Sequence, residues 1–115
     1  MEKVEKSSFI EVFGETPVLK VLDFLLNFDS FDYSIGQISK ETETKWESVE
    51  NAINFLIKKG IVKKTRKLGK AQLYMLDKGG ELTKMIKEID LRLSKFFITQ
   101  EIKKQSLKIP AKISR

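Results

Sequence analysis

Residues 55–74 read Phe55-Leu56-Ile57-Lys58-Lys59-Gly60-Ile61-Val62-Lys63-Lys64-Thr65-Arg66-Lys67-Leu68-Gly69-Lys70-Ala71-Gln72-Leu73-Tyr74. An apolar helical end runs into Gly60, the residue type that most readily stops a helix. Ile61 to Lys67 is rich in β-branched and basic residues, Leu68-Gly69-Lys70 makes a turn, and Ala71 to Leu76 alternates as a strand does. The stretch therefore predicts a helix followed by a β-hairpin. Lys58, Lys59, Lys63, Lys64, Arg66, Lys67 and Lys70 fall in it with no acid between Lys58 and Lys70. Lysines on an edge strand also discourage aggregation, but so dense a run without a counter-charge favours a surface that meets phosphate.

Upstream, Thr44 followed by Glu47 has the pattern of a capping box and opens a helix that runs to Lys59. Val49, Ala52, Ile53 and Leu56 mark its buried stripe; Lys45, Glu47, Ser48, Glu50, Asn51, Asn54 and Lys58 are left outward, with Trp46 and Phe55 at the edges. Ser34 with Gln37 repeats the device and starts a shorter helix through Ile35 and Ile38 to about Glu41. The tight link at Thr42 to Thr44 has helix-turn-helix spacing, which lets the second helix enter a major groove. Earlier still, Thr16-Pro17 caps a first helix whose Val18, Leu19, Leu22, Leu25 and Leu26 recur at helical spacing to about Phe28. Asp29 to Asp32 is turn chemistry, and Tyr33 suits a short strand. Helix, strand or turn, helix, tight turn, helix and hairpin together predict a mainly α fold with a small β-hairpin, a winged helix-turn-helix at residues 15–77.

Asp77-Lys78-Gly79-Gly80 breaks the chain before a long helix from about Glu81 to Lys104, roughly 36 Å at 1.5 Å per residue. Leu82, Ile86, Ile89, Leu93 and Phe96 step by four, three, four and three, and Met85 and Phe97 broaden the seam. So long an apolar stripe exceeds what one small domain covers, and a second subunit is the expected cover; folding back on the first helix is the alternative for part of it. The seam fails at Gln100 and Lys103, so no extended coiled coil is expected. The organisation expected is an N-terminal arm at 1–14, the winged domain at 15–77, a dimerisation helix at 78–104 and a basic flexible tail at 105–115.

Composition narrows the function. A chain of 115 residues suits one core. With no cysteine and no histidine, disulfides, zinc-finger ligand sets and the commonest acid/base residue are all missing, and no paired carboxylates sit beside a glycine-rich phosphate loop. No catalysis, metal or cofactor is expected. The longest apolar stretches are broken by Asp23 and Asn27 and fall short of the roughly 20 residues of a membrane span; the N-terminus lacks a signal peptide's basic start and apolar core, so a cytoplasmic protein is expected. Charge is segregated: residues 1–57 carry five lysines against eleven acids, a net of −6, and residues 58–115 carry seventeen cations against five acids, a net of +12. Such a basic half attracts a polyanion, with nucleic acid foremost.

From Phe13 to Lys95, about four fifths of the chain, the sequence resembles the small winged-helix regulators of the MarR/ArsR-like type abundant in archaea, and residues 55–74 carry the resemblance most strongly. It implies a regulator of transcription that binds double-stranded DNA, and the apolar seam of the last helix makes a homodimer the expected form. By position it implicates Lys45, Trp46, Ser48 and Asn51 in contacts to base edges, and Lys64, Arg66, Lys67 and Lys70 in the wing's grip on phosphate; Lys58 and Lys63 join them from the cationic run. Two departures stand at Glu47 and Glu50, where a carboxylate faces phosphate unfavourably. The capping box accounts for Glu47 without DNA. Glu50 is open to three readings: acceptor from a cytosine amino group, partner of Lys45 or Lys58, or a sign that this helix does not enter the groove in the usual way. Two further roles fit the same chain. One is DNA organisation or plasmid partition, and the other is a protein-interaction module, to which an acidic helix beside a basic wing is suited.

Overall fold

The computed structural model describes residues 6–113, with side chains through Gln105. Its order is α1 (Ser8–Phe13), α2 (Pro17–Asn27), β1 (Tyr33–Ser34), α3 (Ile35–Thr42), α4 (Trp46–Lys58), β2 (Val62–Leu68), β3 (Ala71–Leu76) and α5 (Glu81–Ile113). The strands form one antiparallel sheet in the order β1-β3-β2. This is the expected winged helix-turn-helix with a long C-terminal helix, the hairpin being widened to three strands by β1.

Local chemistry sets most boundaries. Thr16 Oγ1 accepts from Leu19 N ahead of Pro17, and the Ser34/Gln37 capping box is closed in both directions. Val21, Leu25, Ile38, Val49, Ile53, Leu56 and Leu76 are 0–1% exposed and form the core between α2, α3, α4 and the sheet. Each such side chain contributes about 1.5–3 kcal/mol of burial. Within the N-terminal arm Ser7 caps α1, which buries Phe9 and Ile10; residues 1–5 lie outside the described residues.

Two expectations are corrected. The helix after the tight turn is capped by Lys45, with no side-chain cap bond, instead of by Thr44. Thr44 is used in the turn: its carbonyl accepts from Ser39 Oγ at 2.5 Å and its hydroxyl donates to Thr42 O at 3.1 Å. The helix starts one residue later in consequence, Glu47 falls one place short of the reciprocating position, and no capping box forms. Second, α5 continues past Lys104 to Ile113, so helix runs through most of the segment expected as a tail; Ser114 and Arg115 lie outside the described residues. At 33 residues it is about 50 Å long.

The base of the hairpin is tied to the start of α5. Asp77 N donates to Ile61 O, and the fully buried Thr83 hydroxyl donates to the same carbonyl. Gly80 permits this approach, since a Cβ there would lie 2.6 Å from Gly60 O. Among the described residues no helix is long and apolar enough to cross a membrane, and no group of three or more acidic residues is placed to hold a metal.

Candidate nucleic-acid interface

Helix α4 turns Val49, Ala52, Ile53 and Leu56 inward, which fixes its opposite face outward. Lys45, Trp46, Glu47, Glu50, Asn51, Asn54 and Lys58 are exposed there and Ser48 is half-buried. Trp46, 57% exposed, lies at the first turn. Its ring rests beside Gly36 of α3, where a Cβ would approach Trp46 Cζ3 to 3.1 Å; the indole thus both braces the helix-turn-helix and remains accessible. The turn that sets the angle between α3 and α4 hinges on Glu43, whose φ of 53° is left-handed. Glu47 sits in the first turn of α4, where a carboxylate suits the positive end of the helix dipole. Glu50 makes no ion pair with Lys45 or Lys58 among the described residues.

The wing differs in every respect. Of β2 only Val62 is buried, and Lys63, Lys64, Thr65, Arg66, Lys67 and Leu68 are all exposed, as is Lys70 in the turn. The register shifts between Lys64, opposite Tyr74, and Lys67, opposite Gln72, so that Thr65 and Arg66 together face Leu73. The cationic run is acid-free along the chain but not in space. Asp32, from the loop before β1, accepts from Arg66 Nε at 3.1 Å and from Arg66 Nη2 at 3.2 Å, and it also accepts from the Thr65 hydroxyl. These donors lower the Asp32 carboxyl to about 2, and the carboxylate in turn raises Arg66. Sequence reasoning missed Asp32: turn chemistry was its only local signal, and nothing there points to a strand 34 residues away.

The seam of α5 divides between two faces. Ile86 and Leu93 pack against the chain's own core and Phe97 is half-buried, whereas Leu82, Met85, Ile89 and Phe96 are 43–56% exposed along an adjoining flank. Leu91, Ile98 and Ile102, seven and four residues apart, form a second exposed apolar flank. Lys87 of α5 reaches the Asp29 carboxylate in the segment after α2 and lowers it.

No protein-family model and no curated protein matches the sequence. Solved structures do match in shape. HlyU from Vibrio cholerae shares 22% identity at a TM-score of 0.55, over 75% of this chain and 87% of its own. MepR, described as a transcription regulator of the Staphylococcus aureus multidrug efflux pump MepA, shares 14% identity at a TM-score of 0.59, over 91% of this chain and 82% of its own. The adhesin competence repressor AdcR from Streptococcus pyogenes shares 16% identity at a TM-score of 0.56; 77% of this chain is covered but only 63% of AdcR, so the chain spans somewhat under two thirds of that relative. At these identities the likeness is one of fold: a winged helix-turn-helix shared with transcription regulators.

Proposed function

We propose that this chain is a homodimeric winged-helix protein that binds double-stranded DNA and regulates transcription, with α4 in the major groove and the wing on the flanking backbone. The observation that carries the reading is the wing itself, where Lys63, Lys64, Lys67 and Lys70 project into solvent, with no ion-pair partner among the described residues, directly after a groove-sized helix. Lysines so placed attract phosphate irrespective of sequence, while the exposed Lys45, Trp46 and Asn51 and the half-buried Ser48 stand where base edges would be met. The described repressor and regulator among the structural neighbours support the same role.

Leu82, Met85, Ile89 and Phe96 support the dimer, because a stripe of large apolar side chains left in water favours a cover. Since Ile86 and Leu93 belong to the subunit's own core, the substitutions that test association are Met85→Asp with Ile89→Asp. Light scattering should report a dimer for the parent and a monomer of unchanged helical content for the variant.

DNA binding is tested by duplex affinity over a salt series. With about 5 to 7 phosphate contacts per subunit and a logarithmic slope near 0.9 for each, affinity should fall steeply with salt. Changing Lys63, Lys64, Lys67 and Lys70 to Ala should lower the slope by roughly 3.6 per subunit; a flat salt response in the parent, or an unaltered variant, overturns the proposal. A protein-interaction module is the second reading, favoured by the exposed Glu47 and Glu50 on α4. DNA organisation or partition differs from regulation in sequence selectivity, which a genomic binding profile measures.

A further inference from the structure

Asp32 stands immediately before β1, yet it reaches across the central strand to the wing. Tyr33, next to Asp32, pairs with Tyr74 on one side of β3, and the Thr65-Arg66 pair faces Leu73 on the other, so the ion pair crosses β3 obliquely. In a regular strand successive residues point to opposite faces, and one carboxylate does not meet both. The extra residue at this bulge re-aims the side chains, and Thr65 and Arg66 both donate to Asp32. The slip has a second effect beyond the bulge. Lys64 and Lys67, three positions apart, share the face of Tyr74 and Gln72, whereas an unbroken strand places them on opposite faces.

We propose that Asp32 is the positioning residue of the wing: it holds Arg66 in an ion pair as an anchor at the bulge and leaves Lys64 and Lys67 as the cations that one face of the hairpin presents to phosphate. The last part rests on the DNA-binding reading above; the anchor itself does not. A guanidinium with two donors already on a carboxylate has only its remaining donors for another anion. Arg66 therefore leaves the set of phosphate contacts that the cationic run suggests. Asp32, acidic and 34 residues upstream, enters the interface without touching the ligand.

The test uses the full chain, duplex DNA over a salt series, and amide hydrogen exchange of β2 and β3. Asp32→Ala and Arg66→Ala should each weaken duplex binding about three- to tenfold by loosening a preorganised element, and the double variant should be no worse than either. Neither should change the salt slope, whereas Lys67→Ala should lower it by about 0.9. The exchanged pair, Asp32→Arg with Arg66→Asp, rebuilds the bridge in reverse and should recover both binding and exchange protection, which a phosphate-contacting Arg66 would not allow. Tighter binding with a steeper slope in Asp32→Ala means that Asp32 merely competes with phosphate for Arg66, and overturns the proposal. So does a loss of slope in Arg66→Ala with no recovery in the exchanged pair. Exchange separates the two readings without DNA: faster exchange in Asp32→Ala upholds the anchor even if the parent ignores duplex DNA, and unchanged exchange rejects it whatever the DNA result.

Discussion

Helix α4 and strand β2 are separated by three residues, 59–61, and are built on opposite rules. In α4 four residues of thirteen are buried, and they fix the orientation of all the others. In β2 one of seven is buried, and the exposed remainder has no packing to satisfy. Composition in α4 therefore reports chiefly on the core, with polar residues of both signs on its outer face. Composition in β2 reports on what the strand meets, because Arg66 is held by Asp32 but nothing inside the fold calls for the three lysines beside it.

That contrast is broken or kept by stability first. Ile53→Ala removes a side chain 0% exposed at the centre of α4 and should cost about 2–5 kcal/mol. Replacing Lys63, Lys64, Lys67 and Lys70 by Ala should change unfolding free energy by no more than about 0.5 kcal/mol per site, the usual range for surface positions. Denaturant midpoints of the two variants measure this directly. A wing variant as unstable as Ile53→Ala would mean that these lysines hold the fold together.

The turn ahead of α4 provides a smaller effect of opposite sign. Glu43 holds a left-handed conformation that costs a residue with a Cβ roughly 1–2 kcal/mol. Glycine recovers part of this but loses more chain entropy on folding. Glu43→Gly should therefore stabilise by about 1 kcal/mol or less, seen as a rise in thermal midpoint of a few degrees. No change would show that other contacts of the turn offset the strain.

What the sequence made legible follows from range. The hairpin, the buried stripe of α4 and two of the caps depend on residues at most four apart, and they stand where the spacing put them. Thr44 misled because its carbonyl and hydroxyl were already engaged, by Ser39 and Thr42 respectively, a competition between neighbours that a cap pattern does not reveal. The end of α5 misled because the apolar seam and the helix are different things. The seam fails at Gln100 and Lys103, while the backbone continues through Glu101, Lys103, Lys104 and Gln105, all good helix formers. The division of that seam between core and solvent, and the link from Asp32 to Arg66, were not legible, since each depends on the placement of distant elements.

On the outer face of α4, Glu50→Gln sharpens the contrast with the wing. If this face meets DNA without reading a base through Glu50, removing the charge should tighten duplex binding about threefold at low salt, because a carboxylate near phosphate repels it. A loss of affinity confined to sites with cytosine at one position would instead make Glu50 an acceptor from the cytosine amino group. Either result assigns the residue a place relative to the groove.

The smallest effect is the pH dependence of the wing's tether. Arg66 and Thr65 hold the Asp32 carboxyl at about 2 in the folded protein, below the ordinary aspartate value of 3.8. Between those values the unfolded chain binds more protons than the native one, so stability rises with pH across that window. The contribution is fully present above about pH 4 and is lost as pH falls toward 2. Asp29, lowered by Lys87, behaves in the same sense, while Asp23 and Asp90, raised by burial, oppose it: protonating them favours the folded state. A bare acid-unfolding curve mixes all four groups. The difference between the parent and Asp32→Asn isolates one, and that difference should be constant above pH 5, shrink below 4 and approach zero near 2. A gap unchanged across this range would show that the carboxylate's charge does not hold Arg66, and the wing would then stand without its tether.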